Sequence, residues 1–293
     1  MTTALQLEKT GTRAVDEVAT SQIAPVGTFT VRRALPFQGR HSVGPWVFLD
    51  HFGPFRVKPG EDGVGAHPHA GIETVTYLLS GRNEHRDSAG HVGVVAAGGA
   101  QWMTSGRGII HAEHPLAESE AELTMHGIQL WTSLPRALKT MQPRYQRIDA
   151  EAIPTVRATG AQVRVIAGEY AGAAGPASTL MPTLLWHVSV EPGATFEAAL
   201  PAGYEAGAYV IEGEGRFAGD CDATTGQIVV FGAGDAALRF ENRGPAKLEL
   251  MVLGGAPAEG PLVFHGPFVM NSNEQVRAAE IAYRTGNMGE LAG

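Results

Sequence analysis

The chain lacks most of the features that would send a protein across or into a membrane. It has one cysteine, Cys221, among 293 residues, so no internal disulfide can form. This fits a reducing compartment. No apolar run approaches the length of a membrane span. The amino terminus is polar and mixed in charge, without the apolar core of a secretory signal. A soluble cytoplasmic protein with no membrane partner is expected. Positive charge is not in excess either: 22 Lys and Arg stand against 30 Asp and Glu, a net charge of −8. Such a chain has no global pull toward phosphate backbones, so direct nucleic-acid binding is not expected.

What is present points to β structure. Hydrophobic residues make up 44% and charged residues 18%, a globular balance rather than a disordered one. The 38 glycines punctuate many short apolar runs, the mark of strands joined by tight turns. The length suits about two domains of ordinary size.

One stretch, 67 to 113, organises the rest. It opens with His67-Pro68-His69 and closes with His111-Ala112-Glu113. On a strand, residues i and i+2 point to the same face. His67 and His69 can therefore aim at one point, and so can His111 and Glu113. A barrel that joins the two pairs would make a pocket of three nitrogens and one oxygen for a single metal. That donor set suits iron, and also copper, nickel, manganese or zinc. The bland alternative is a set of strand-end polar residues with no shared target. A single His-x-His would favour the bland reading. A second pair at the same spacing, with a carboxylate, favours the metal.

Along the chain, Glu73 to Ser80, His91 to Ala97 and Met125 to Ser133 read as strands. Residues 136 to 160 read as a linker, with Pro143 and Pro154. The pattern then starts over. Ala208 to Gly213 echoes Thr76 to Gly81, and Val229 to Gly234 echoes Val94 to Gly99. This is an internal repeat of one β-barrel unit. Residues 1–135 are expected as the metal-binding domain and 161–293 as the second. Laying the repeats together puts Ala199, Pro201, Lys247 and Glu249 opposite the four candidate ligands, so the second domain is expected to be metal-free. Near the end, Ser272 and Gln275 form a capping-box signature for a short helix over 273–284, with Gly286 as its stop.

These residues resemble a known family. His67 to Tyr77, Gln101 to Glu113, Gln129-Leu130-Trp131, Pro143 to Gln146 and Gly266 to Asn271 are similar to segments of the pirins, in order and across nearly the whole chain. The resemblance implies an all-β bicupin: two antiparallel jelly-roll β-barrels, followed here by the short C-terminal helix. It implies one iron, as Fe2+, in the first barrel, held at the positions of His67, His69, His111 and Glu113. Glu73 stands where many cupins carry a ligand, and is expected to support the site or the sheet instead. Trp102 is expected as a pocket wall. His114 and His126 are expected either to hydrogen-bond around the metal or to lie on a polar rim.

Some pirins are similar to quercetin 2,3-dioxygenases. The leading expectation is cleavage of a flavonol ring with dioxygen, with Glu113 as the catalytic proton acceptor. Other pirins resemble redox-responsive transcriptional co-regulators that bind protein partners, or regulators of metabolic enzymes. An open apolar slot beside the metal would favour catalysis, and a closed pocket would favour regulation.

Overall fold

The computed structural model describes residues 11–61, 63–117 and 122–291. Runs rich in Val, Ile, Leu and aromatic residues form two seven-stranded antiparallel sheets. The first runs, in spatial order, Arg144–Ile148, Ala100–Thr104, Ile72–Ser80, Leu123–Ser133, Trp46–Val57, Phe29–Leu35 and Gln22–Val26. The second runs Val15–Thr20, Gln227–Phe231, Glu205–Glu212, Leu248–Gly255, Thr183–Val190, Ala161–Ala167 and Thr155–Ala158. The two orders match strand for strand. Each sheet is backed by a four-stranded one. In the first half these are Val64–His69, Ile109–Pro115, Arg82–Asp87 and Val92–Ala96. In the second they are Thr195–Ala198, Leu238–Asn242, Glu214–Phe217 and Cys221–Thr224. Among the described residues no helix is long and apolar enough to cross a membrane.

The edges of the large sheets differ from the expected division of the chain. The stretch 136–160, read from sequence as a linker, holds two strands. Arg144–Ile148 pairs with Ala100–Thr104 in the first sheet, and Thr155–Ala158 opens the second. The early strand Val15–Thr20 crosses over to pair with Gln227–Phe231 of the second sheet. The reason these edges escape a sequence reading is physical. An edge strand is paired on one side only, so it tolerates the polar residues and prolines that argue against a central strand.

The repeat also falls in a different register from the one expected from sequence. By strand order, Val92–Ala96 corresponds to Cys221–Thr224, and Ala100–Thr104 to Gln227–Phe231. His67 lies opposite His111 in the first half, and Phe196 lies opposite Phe240 in the second. Counted from the matching Gly81 and Gly213 turns, Phe240 takes the place of Glu113, and the facing pair Ala198 and Leu238 takes the places of His67 and His111, in place of the expected Ala199 and Lys247. Phe196 stacks on Phe240 at 5.3 Å and Phe217 packs on Phe240 at 5.5 Å, filling the second barrel.

The largest shared core lies between the two seven-stranded sheets. Trp46, Val75, Tyr77 and Trp102 meet Leu185, Tyr209, Val230 and Leu253 there. The Trp46 indole N–H donates across this seam to the carbonyls of Leu184 and Gly254, at 3.2 and 3.1 Å. Trp102 is fully buried against Trp46 and is not a pocket wall. Strand alternation explains the correction: Gln101 faces into the first barrel, so its neighbour Trp102 must face the other sheet. The chain ends in the hairpin Val263–His265 and Phe268–Met270 and the helix Asn273–Arg284. The Ser272 hydroxyl accepts from the Gln275 N–H at 3.2 Å, the cap expected from sequence. This tail returns to the first half, where Ala70 packs with Phe268, Met270, Val276 and Ala279.

His51 gives the seam a dependence on pH. Its Nδ1 lies 3.0 Å from the Tyr209 hydroxyl and its Nε2 2.7 Å from His126 Nε2. Burial first, then His126 and Arg32, push its pKa down to about 3. In the unfolded chain it titrates near 6.5. Between those values the unfolded state binds more protons, so stability is complete above pH 6.5 and is lost as the pH falls toward 3. At pH 5 the loss from this one group is about 2 kcal/mol. Urea unfolding at pH 7.5 and pH 5 should show this drop. His51→Asn should shrink the difference between the two pH values by a similar amount.

Candidate metal centre

Val64–His69 and Ile109–Pro115 are adjacent antiparallel strands, and this pairing assembles the site. Pro68 points away from His67 and His69, which share the inward face. The register shifts between His111 and Glu113, so Glu113 sits opposite Val64. The extra residue lies on the Val64–His69 strand, between Val64 and His67, while the Glu113 strand stays regular against Arg82–Asp87. The His67 and His111 rings are 4.3 Å apart between centroids, His67 and His69 4.9 Å, and His69 and His111 5.0 Å. One nitrogen from each lies within 4.8 Å of the other two.

The ring nitrogens are sorted by their partners. His67 Nδ1–H donates to the Gly65 carbonyl at 2.8 Å, and His69 Nδ1–H to the Pro267 carbonyl at 3.1 Å. Each Nε2 is left with a lone pair. His111 Nε2 is buried with no hydrogen-bond partner among the described residues. An orphaned buried nitrogen costs free energy unless something accepts its lone pair. Burial, then the neighbouring His67, pushes the His69 pKa down to about 3. Burial, then His67, His69 and His85, holds His111 well below its ordinary value. Converging imidazole lone pairs are what a divalent metal requires. His67, His69 and His111 fit the metal on this ground.

The turn after His69 is tightly held. Gly71 has φ +77°, and a Cβ there would meet the Val269 carbonyl. Lys139 is fully buried and its Nζ donates to Gly71 O, Ser133 Oγ and Val269 O at 2.8, 2.8 and 2.7 Å. These bonds tie the His69 strand to the tail that supplies the Pro267 carbonyl.

Glu113 stands outside the three-histidine cluster but lines the same cavity. Its Oε1 accepts from Asn83 Nδ2 at 3.1 Å, from the Thr76 hydroxyl at 2.9 Å and from Gln101 Nε2. Oε2 carries none of these bonds. Glu73 lies elsewhere in the sheet, bonded to the hydroxyls of Thr104 at 2.8 Å and Thr132 at 3.3 Å. It is a cross-tie between strands. His126 faces His51 at the seam, and His114 follows Glu113 and so faces the opposite side.

Sequence reasoning passed over Asn83, His85 and Asp87. They lie on the strand Arg82–Asp87, with His85 directly opposite Glu113 and Asp87 opposite His111. The signal was available: His85-Arg86-Asp87 is a third i, i+2 pair of potential polar partners. Burial alone would raise the Asp87 pKa, but hydrogen bonds from His85 and His91 outweigh it and hold it below the ordinary value.

Beside the histidines opens a cavity of about 1010 Å³. Phe29, Phe48, Phe52, Phe55, Trp131 and Phe264 line it. Phe48 stacks on Trp131 at 4.0 Å, and Trp131 stands edge-on to His69 at 4.9 Å. The Arg33 guanidinium lies 4.6 Å over the Phe48 ring and is held by both oxygens of Asp50 at 2.9 and 2.7 Å.

Two back-to-back barrels of like strand order, one hollow with converging imidazoles and one filled, define a bicupin of the cupin superfamily. Residues 28–132 match the pirin family and residues 185–289 the pirin C-terminal cupin domain, and the chain belongs to the pirin family. It is 38% identical to pirin of Mus musculus over 264 residues, 88% of each chain. It is 36% identical to a pirin-like protein of Solanum lycopersicum over 262 residues, 88% of this chain and 87% of that one. The structure of quercetin 2,3-dioxygenase from Acinetobacter baumannii superposes with a TM-score of 0.89 at 29% identity, covering 96% of this chain and all of that one. The bacterial pirin YhhW of Escherichia coli, solved with nickel(II), shares the fold with a TM-score of 0.62 at 18% identity, over 84% of this chain and 98% of that one.

Nickel titration by calorimetry checks the centre. The wild-type protein should take up one equivalent. His111→Ala should weaken binding by more than the roughly 100-fold that loss of a supporting partner costs. Glu73→Gln should leave affinity within a few-fold, because that carboxylate bonds only within the sheet.

Proposed function

We propose that this pirin is an iron-dependent dioxygenase of the quercetin 2,3-dioxygenase type. The observation that supports this most is the open, aromatic cavity of about 1010 Å³ beside the three imidazoles. Cavities that hold drug-sized molecules run from about 300 to 1,000 Å³, so a flavonol has room. The likeness to a structure named as quercetin 2,3-dioxygenase points the same way.

His67, His69, His111 and Glu113 would hold Fe2+, though the same donors suit nickel, copper, manganese or zinc. Bound iron would supply Lewis acidity toward the flavonol hydroxyl and a route for its electrons to dioxygen. The chain's own residues do the rest. Phe48 and Trp131 present a stacked aromatic wall on which the flavonol rings can lie. The apolar lining excludes water from the reacting face. Asn83, Thr76 and Gln101 hold Oε1 and fix the carboxylate plane, so Oε2 is the oxygen that would face the metal at rest and would leave it to accept the 3-hydroxyl proton when the flavonol binds. Oxygenation and loss of carbon monoxide then open the ring.

Oxygen uptake by anaerobically iron-loaded protein on adding quercetin tests the reading. Uptake should match flavonol loss mole for mole. Glu113→Ala should slow it by about 10²- to 10⁴-fold, the usual worth of a general base. Trp131→Ala should raise KM more than it lowers kcat. No uptake by protein that demonstrably holds iron would sink the enzyme reading. It would shift the function to redox-responsive binding of a protein partner.

A further inference from the structure

His67 and His69 are each oriented by a backbone carbonyl. His111 is oriented differently. Its Nδ1 lies 3.4 Å from His85 Nδ1, and His85 Nε2 lies 3.0 Å from Asp87 Oδ2. All three side chains are buried: His111 and His85 are 1% exposed and Asp87 4%. We propose that Asp87 and His85 form a relay that locks His111 in its Nδ1–H tautomer and so presents Nε2 to the metal. The inference rests on the reading of His67, His69 and His111 as metal ligands.

The protons can be counted. An ionised carboxylate only accepts, so the His85–Asp87 bond requires the hydrogen on His85 Nε2. A neutral imidazole carries one N–H, so His85 Nδ1 is a bare lone pair. It faces His111 Nδ1. Two facing lone pairs repel, so His111 carries its hydrogen on Nδ1 and donates to His85. The lone pair of His111 is then on Nε2, the buried nitrogen that has no partner among the described residues.

The relay is held rigidly. Tyr145 stacks on the His85 ring at 4.5 Å with planes 14° apart, which blocks rotation. Asp87 Oδ1 accepts from the backbone N–H groups of Ala89 and His91, both at 3.0 Å. His91 Nδ1 reaches Asp87 Oδ2 at 2.9 Å. The arrangement follows from register. On Arg82–Asp87 the alternating residues Asn83, His85 and Asp87 share the inward face beside the ligand strand. Asn83 serves Glu113, and the other two serve His111. A carboxylate behind the imidazole also makes it a stronger donor than a backbone carbonyl does. Asp87 and His85 are positioning residues, since neither reaches the metal position itself.

The test uses nickel(II) as the probe, in competition with a chelator, together with ¹⁵N NMR of the histidines in metal-free protein. His85→Phe keeps a ring against Tyr145 but removes the acceptor. It should weaken nickel binding by about 10- to 100-fold, as should Asp87→Asn. His85→Asn restores an oxygen near the Nδ1 position and should recover most of the loss, which a purely structural role would not predict. Metal-free wild type should show His111 with its hydrogen on Nδ1, and His85→Phe should show a mixture. Wild-type affinity in folded His85→Phe, or an Nε2–H tautomer of His111 in the wild type, would overturn the relay. If the wild type bound no nickel, the metal reading itself would fail, and the tautomer spectrum would still decide the relay. The wild-type spectrum also decides it should His85→Phe not fold.

Discussion

The candidate site depends on the pairing register of two short strands. His67 lies opposite His111 because Val64–His69 and Ile109–Pro115 pair antiparallel at that step. A slip of Val64–His69 by one residue would send His67 and His69 to the outer face, since side chains alternate with a period of two. Much of the surrounding structure prevents that slip. Lys139 ties the turn after His69 to the chain tail, and the tail supplies the carbonyl that orients His69. On the other side, Arg82–Asp87 pairs with the same strand from His111 to Pro115.

The two halves spend the same strand order differently. In the second, Phe196, Phe217 and Phe240 fill the interior, and that barrel is a packed core. In the first, the corresponding space is left open and lined by aromatic and imidazole rings. An open interior forfeits the dispersion contacts that a filled one makes. The deficit is offset at the seam, where the large sheets bury Trp46, Trp102, Tyr77 and Tyr209 against one another. Exchange of edge strands adds to this: the early strand Val15–Thr20 completes the second sheet, and Arg144–Ile148 completes the first. The filled barrel and the seam act as the scaffold, and the hollow barrel is free to serve chemistry.

Electrostatics in the hollow barrel follow one rule. Charge is kept one shell away from the converging nitrogens. His69 and His111 are held neutral because burial and repulsion from neighbouring imidazoles disfavour their cations. The nearby carboxylates are each satisfied: Glu113 by Asn83, Thr76 and Gln101, and Asp87 by His85, His91 and two backbone N–H groups. Glu73 is absorbed into the sheet by Thr104 and Thr132. What remains for a cation are the converging lone pairs of His67, His69 and His111 and the Oε2 of Glu113.

The sequence by itself determined whatever depends on spacing along one strand. His67 and His69 must share a face, and so must His111 and Glu113, because the pleat alternates. The all-β class, the repeat, the family and the capped helix after Ser272 were legible for the same reason: each is a local pattern of residue types. Tertiary structure decided whatever depends on which strands become neighbours. Trp102 turned to the seam because Gln101 faces inward. The residues read as a linker became sheet edges, where pairing on one side tolerates polar sequence. His85 and Asp87 gained meaning only when their strand came to lie beside His111. Spacing says which side chains look the same way; only long-range pairing says what they look at.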